Sequence, residues 1–349
     1  MRVAIDARLI GGTNTGDSTY WTCFIEALSR NHQDVELVFI SNQEMPKNVP
    51  FLQGCSWIFA PTRSSRWWSM VTFPLMARKA GAHILHGQYG ISPLAKNGIS
   101  TVHDVSFMVN PSWFSARDHL LLKSGVQLAS RSAKRIVTVS ETSKQEIILY
   151  FPNAASKTRV AMNACPPWIQ KSTDKERVRQ MGIEGEYVLT VGTNWARKNM
   201  QLAVNVASNC FGEIPMKLII TGKQSGDFVS NHVIATGYVD IEMLSALYSG
   251  AKAYLAPSLH EGFGITVLES MRCGTPVICG PGGAMPEVAG TAGFVMPDYD
   301  SETWTKAISK ILRDPSKLSE LSTNGIKREQ DFTWEKSARA HYDVYRELL

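Results

Sequence analysis

The sequence predicts an α/β protein made of two doubly wound domains that face a cleft. Three observations predict it. The chain has 349 residues, more than one hydrophobic core usually organises. Both halves alternate short apolar runs with helix-period segments, as parallel sheets of βαβ units do. Pro166-Pro167 and the polar stretch after it break that alternation near residues 164–172, which marks a boundary.

Each element follows from the same reasoning. In the first half, residues 3–5, 35–40, 83–86, 100–103 and 135–139 are short apolar runs that read as buried strands. Helical patterns lie between them at about 17–30, 66–81, 116–133 and 141–150. In the second half the strand candidates are 187–191, 217–221, 233–236, 253–255, 276–278 and 293–295, and helices fit near 198–210, 240–250, 266–273, 285–289, 301–313 and 315–330. The expected division is a first domain over 1–168 and a second over 169–332. A last helix within 333–349 follows the complete second set and is expected to cross back to the first domain.

Composition bounds the function. With 44% hydrophobic and 19% charged residues, the chain has the make-up of a globular protein with a substantial core. No apolar run reaches the length of a membrane-spanning helix, and MRVAIDARLIGG lacks the apolar stretch of a signal peptide. A cytoplasmic protein is expected. Six scattered cysteines, Cys23, Cys55, Cys165, Cys210, Cys273 and Cys279, show no zinc-site spacing and read as buried free thiols. Residues 1–170 carry 17 Lys/Arg against 10 Asp/Glu and residues 171–349 carry 19 against 21, so the first half is the part expected to meet something anionic.

The segment HEGFGITVLESMRCGTPV, residues 260–277, carries the most chemistry. Glu261 stands in a Gly-rich loop, Gly262-Phe263-Gly264, which leads into a helical start at Ile265-Thr266. Glu269 follows eight positions after Glu261. Glycines admit a ligand close to the backbone, and a helix N-terminus offers N–H groups to an anion. Two carboxylates for hydroxyl groups beside a phosphate cradle suit a sugar diphosphate. In YVLTVGTNWARKN, residues 187–199, a strand ends at Gly192-Thr193 and a loop brings Arg197 and Lys198 to a helix start. Parallel sheets bind ligands beyond the carboxyl ends of their strands, and a guanidinium beside an ammonium would hold a diphosphate there.

Other candidates are less specific. His103-Asp104 follows an apolar strand and reads either as a ligand contact or as a structural histidine; His86 is a weaker version of the same pattern. Gly11, Gly12 and Gly16 form a loop before a helix, but the spacing is neither a dinucleotide fingerprint nor a P-loop. No acid pair of the Asp-x-Asp kind is expected to hold a metal ion. Thr62-Arg63-Ser64-Ser65-Arg66-Trp67-Trp68, with Arg78-Lys79 beyond it, reads either as a half-buried helix or as a contact for an anionic membrane.

Taken together, these motifs resemble the retaining glycosyltransferases of the GT-B fold, family 4, and especially their bacterial mannosyltransferase-like branch. Glu261 to Glu269 resembles the family's paired-glutamate motif. YVLTVGTNWARKN resembles its phosphate-binding strand and loop, TVHDVSF (101–107) its His-Asp segment, and IVTVSETSKQEI (136–147) the end of its acceptor domain. TGYV (236–239), GTPVICGPGGAMPEVAG (274–290) and FTWEKSA (332–338) agree as well. The resemblance implies two Rossmann-like domains, an acceptor-binding one and then a donor-binding one. It implies that Glu261 contacts hydroxyls of the donor sugar with help from the backbone of Phe263, Gly264 and Ile265, and that Glu269 binds the ribose. Arg197 and Lys198 would neutralise the leaving diphosphate, His103 would stand beside the donor sugar, and Gly237 and Tyr238 would flank the base. Gly12, Gly192, Thr193 and Thr266 complete the expected donor-binding set. One departure is visible: many relatives have Gly-Ile-Gly-Arg-Tyr where this chain has Gly16-Asp17-Ser18-Thr19-Tyr20.

The implied reaction moves a hexose, mannose first, from a nucleotide-diphosphate sugar (GDP-mannose or a UDP-hexose) to a glycan or lipid-diphosphate-linked glycan, in cell-surface polysaccharide synthesis. It implies no metal, no other cofactor and no nucleic acid, with peripheral contact to the inner face of the cell membrane. The rival readings are a nucleotide-sugar epimerase or sugar phosphorylase of the same fold, and a non-catalytic sugar-nucleotide-binding subunit.

Overall fold

The computed structural model describes residues 1–349 except 13, 14, 63, 212, 213, 224–227, 229 and 230. The expected loop at Gly11–Gly16 and the basic stretch at 62–68 therefore each fall partly outside the described residues. The chain forms two compact units, Met1–Asn163 with Thr333–Leu349, and Ala164–Phe332.

The first unit holds seven strands: β1 (Arg2–Asp6), β2 (Glu36–Ser41), β3 (Ser56–Phe59), β4 (Ile84–Gln88), β5 (Gly98–Thr101), β6 (Arg135–Thr138) and β7 (Thr158–Val160). Their order is β3-β2-β1-β4-β5-β6-β7, and every pairing is parallel. The second unit holds β8 (Glu186–Val191), β9 (Met216–Thr221), β10 (Val233–Gly237), β11 (Ala253–Ala256), β12 (Val277–Cys279) and β13 (Phe294–Val295). Their order is β10-β9-β8-β11-β12-β13, again all parallel. Each unit is a doubly wound sheet whose winding reverses once, between β1 and β4 and between β8 and β11. Such a reversal opens a crevice at the carboxyl ends of the two strands, where open α/β sheets bind ligands.

The central strands match the apolar runs because helices cover both faces of a parallel sheet. Val3, Ala4, Ile5, Val188 and Leu189 are fully buried. Two strands were not anticipated. β3 is an edge strand with no fully buried residue, and β7 has three residues, so neither has an apolar run to show. The expected helix over 66–81 is broken into Ser65–Trp67, a π-helical turn at Trp68–Thr72 and Phe73–Lys79. Pro74 lacks the N–H that a continuous helix would need at that point. The strand expected over 100–103 ends at Thr101, so His103 stands just beyond the sheet.

The last helix, Trp334–Arg346, belongs to the first unit and packs on the helix Gly16–Asn31. Its buried His341 and Tyr345 are polar, and each finds partners. Tyr20 Oη lies 2.6 Å from His341 Nε2 and 3.0 Å from Thr101 Oγ1. His86 lies 2.7 Å from the Tyr345 hydroxyl and 2.8 Å from Thr101 Oγ1. Phe24 stacks on His341 at 4.1 Å. Burying these groups without partners would cost about 1–3 kcal/mol each, so the network holds the helix in one register.

Candidate active site

In the second unit the site forms where the winding reverses. After β8 the chain passes Gly192, at φ 148°, and Thr193 to a 3₁₀ turn at Ala196–Lys198. Arg197 and Lys198 thus precede the helix Met200–Cys210 rather than opening it; Asn199 lies between, in the left-handed region at φ 50°. After β11 the chain reaches His260-Glu261. Lys198 Nζ donates to Glu261 Oε1 at 2.6 Å, and Arg197 Nη1 donates to Glu261 Oε2 at 2.9 Å and to the His260 carbonyl at 2.6 Å. Leu259 N donates to the Arg197 carbonyl at 2.8 Å, so main chain and side chains tie the two loops together.

The electrostatics follow. Burial pushes the Glu261 carboxyl up, but Lys198 and then Arg197 outweigh burial and hold it well below the usual carboxylate range. Two cations meet on this one carboxylate, a cluster suited to an anion. Beside it begins the helix Ile265–Arg272, with Gly264 at φ 97° as its cap and no capping side chain. The helices starting at Gly16, Ala116, Glu141, Ile241, Ser301 and Trp334 each have a side-chain cap. An uncapped first turn keeps its N–H groups for an outside acceptor.

Glu269 lies one turn further along that helix. It is 9% exposed and accepts a hydrogen bond from the Tyr248 hydroxyl at 2.8 Å. Burial pushes its carboxyl up to about 7, against the lowering influence of Tyr248, Lys198 and Arg272. Burial pushes the hydroxyl of Tyr254, on β11, well above its ordinary range, with Glu261 and Glu269 adding to the rise. Phe263 is buried, edge-on to Phe332 at 5.7 Å. Gly237, at φ 70°, closes β10 at the same end of the sheet, its carbonyl accepting from Gly222 N at 2.9 Å. Tyr238, at that edge, is 68% exposed.

His103 and Gly12 belong to the first unit. His103 is buried beyond the end of β5, edge-on to Tyr20 at 4.7 Å. Its Nε2 lies 3.3 Å from Gln88 Oε1 and 3.7 Å from Asp17 Oδ1. Gly12 is in the loop before the helix Gly16–Asn31, where an added Cβ would meet Ser18 Oγ at ordinary van der Waals distance. A cavity of about 230 Å³ lies where this sheet's winding reverses, lined by Asp6, Arg8, Leu9, Trp21, Ser65, Gln88 and Tyr89. Arg8 forks onto Asp6, at 2.9 and 2.7 Å, so its charge is already matched.

Several contributors escaped the sequence reading. Gly282 and Gly283 pack on the Glu261 loop: a Cβ at Gly283 would lie 2.3 Å from the Glu261 carbonyl, and one at Gly282 1.9 Å from that of Leu259. Their signal was the Pro281-Gly282-Gly283 run. Tyr299 stitches the same loops, donating to the Ser258 carbonyl at 2.7 Å and accepting from Gly282 N at 2.9 Å. An Asp-x-Asp triplet does occur, Asp298-Tyr299-Asp300. Asp300 is spent capping the helix Ser301–Leu312 through the Thr303 N–H, and Asp298 accepts from the Asp300 N–H. Among the described residues no three His, Cys, Asp or Glu side chains gather as metal ligands would, and no helix is long and apolar enough to cross a membrane. Of the two adjacent tryptophans, Trp68 is core and Trp67 is exposed.

Two doubly wound parallel sheets, one carrying a cation–carboxylate cluster beside an uncapped helix, are the architecture of the GT-B fold. Residues 185–314 match the family described as glycosyl transferases group 1. The chain matches that family within its second unit. It is 28% identical over 292 residues to the O-antigen chain mannosyltransferase B of Escherichia coli, covering 76% of this chain and 74% of that one. It is 26% identical over 242 residues to the serotype-specific mannosyltransferase WbdA of Escherichia coli, but spans only 29% of that protein's length. Among solved structures it shares its fold with the sucrose-phosphate synthase of Thermosynechococcus elongatus, at a TM-score of 0.77 and 20% identity, covering 100% of this chain and 99% of that one. It shares it also with Anabaena HepE in complex with UDP and glucose, at a TM-score of 0.77 and 16% identity, covering 99% and 100%.

Proposed function

We propose that this glycosyltransferase moves a hexose, mannose first, from a nucleotide-diphosphate sugar to a hydroxyl of a glycan or lipid-linked glycan, with retention at the anomeric carbon. The observation that carries the reading is Glu261 held ionised between Lys198 and Arg197 at the carboxyl ends of β8 and β11. The hard step is departure of the diphosphate, which gathers charge on its oxygens while the sugar becomes oxocarbenium-like. Lys198, Arg197 and the first-turn N–H groups after Gly264 stabilise that charge, without need of a metal ion. Glu261 accepts hydrogen bonds from sugar hydroxyls, Glu269 from the ribose, and His103 acts beside the donor sugar. Gly237 and Tyr238 flank the base. The leaving phosphate takes the acceptor's proton on the same face, so no enzyme nucleophile is required. The mannosyltransferase relatives support mannose, and hence GDP-mannose ahead of UDP-hexoses.

The test is release of nucleoside diphosphate from a panel of nucleotide sugars, with and without mannan-type and lipid-linked acceptors and with a chelator present. Acceptor-dependent, chelator-resistant release, with the product's anomeric configuration kept, is expected. Release without an acceptor, interconversion of the sugar, or dependence on orthophosphate would overturn it.

Peripheral membrane attachment belongs to the same reading. Trp67 is 47% exposed, next to exposed Arg66, and Arg78 and Lys79 are exposed on the following helix, a combination suited to an anionic surface. Co-sedimentation with anionic but not neutral vesicles, lost in Trp67→Ala, is expected; equal recovery with both would dismiss it.

A further inference from the structure

The departure at Gly16–Tyr20 puts a carboxylate where it can organise the first unit's histidine. Asp17 stands in the first turn of the helix Gly16–Asn31, and its Oδ2 accepts from Gln88 Nε2 at 2.8 Å. The other end of that amide, Oε1, accepts from the Trp21 indole N–H and faces His103 Nε2 at 3.3 Å. An indole N–H can only donate and a carboxylate can only accept. Trp21 and Asp17 therefore fix which end of the Gln88 amide is oxygen, since a flipped amide would face a donor with a donor and an acceptor with an acceptor. His103 Nε2 faces that oxygen, so Nε2 bears the proton. Asp17 Oδ1, 3.7 Å from the same nitrogen, favours the same assignment. Tyr20 holds the ring edge-on at 4.7 Å. Nδ1 then keeps its lone pair. It has no hydrogen-bond partner among the described residues and is not among the atoms sealed from solvent.

We propose that Asp17 and Gln88 are positioning residues that lock His103 in its Nε2–H form, so that Nδ1 is offered as the acceptor for a hydroxyl of the donor sugar. The inference rests on the proposed donor role of His103. It explains why this chain carries an acid at position 17, and it makes the contact selective: a sugar hydroxyl can donate to Nδ1, whereas a fluorine or a methyl ether at that position cannot.

Two measurements test it. The first is the long-range proton–nitrogen NMR spectrum of imidazole-labelled protein, with His103 assigned by comparison with His103→Asn. Wild type is expected to show His103 with Nε2 protonated and Nδ1 bare, Asp17→Ala a mixture of tautomers, and Asp17→Asn, whose amide oxygen can still accept from Gln88, the wild-type pattern. The second is kinetic. Asp17→Ala and Gln88→Leu should lower kcat/KM for the nucleotide sugar by about 10-fold or more, as misplacement of a contacting group does. The Kd for the nucleoside diphosphate, which lacks the sugar, should stay within about 2-fold, and Asp17→Asn should recover most of the loss. A wild-type His103 protonated at Nδ1, an Asp17→Ala spectrum unchanged from wild type, or equal losses of diphosphate and nucleotide-sugar binding would overturn the proposal. Failure of the transferase reading looks different: no acceptor-dependent turnover in wild type, whatever the tautomer.

Discussion

Lys198 and Arg197 share a single carboxylate, and the consequences of removing each partner differ. Lys198→Ala should lower turnover by about 10-fold or more, within the range lost with one preorganised charge contact, while circular dichroism stays native. Glu261→Gln removes the negative charge that both cations share. Affinity for the bare nucleoside diphosphate should hold or rise while sugar transfer falls by about 100-fold; calorimetry with the diphosphate beside a transfer assay separates the effects. Glu269 adds a pH signature. Its folded carboxyl is pushed up to about 7 by burial, above its unfolded value. Between roughly pH 4.5 and 7 the native state holds a proton on Glu269 that the unfolded state has lost, so the contribution of Glu269 to the stability of the free protein falls across that window as pH rises, opposite in sign to that of the buried histidines. A hydroxyl donor favours the ionised form, so donor affinity should rise through pH 7. Glu269→Gln should abolish the Glu269 part of both slopes, measured by thermal shift with and without donor.

At the scale of elements, the carboxyl ends of β8, β11 and β12 converge because backbone approaches backbone at glycine. Gly283, at φ 63°, cannot gain a Cβ without moving the Glu261 loop. Gly283→Ala should cost about 2 kcal/mol from the left-handed backbone and the clash, and should depress transfer more than Lys198→Ala does, because all partners of Glu261 shift. Thermal melting and kcat/KM read the two effects. The elements also show what a sequence discloses. Buried central strands announce themselves as apolar runs, and Glu261, Gly264 and Glu269 sit close enough in sequence to be read as one motif. Arg197 and Lys198 were legible as cations after a strand, but their attachment to Glu261 depends on β8 and β11 being neighbours, a property of strand order. Tyr248, which hydrogen-bonds Glu269, and the Asp17–Gln88–His103 chain were invisible for the same reason. The edge strands β3 and β7 were missed because half-exposed short strands lack apolar periodicity.

For the whole molecule, the acid response should be governed by the first unit. His341 is pushed down to about 4 by burial, and burial likewise holds His86 well below its ordinary range. Unfolded imidazoles bind protons from about pH 6.5 downward and these do not, so stability falls as pH drops from about 6.5 toward 4. Chemical denaturation at pH 7 and pH 5 should show that loss, and His341→Phe should reduce it even if the variant starts less stable.

The return of residues 333–349 to the first unit bears on how the protein is made. A ribosome delivers residues 1–163 early, yet the layer carrying His341 and Tyr345 arrives only after the whole intervening lobe has been synthesised. Until then Tyr20, Phe24 and His86 lack their cover, and the nascent first lobe must wait in an unfinished state, in need of chaperone protection. Loss of the codons for residues 333–349 alone would therefore cripple the lobe encoded at the beginning and leave the one encoded nearest the break comparatively intact.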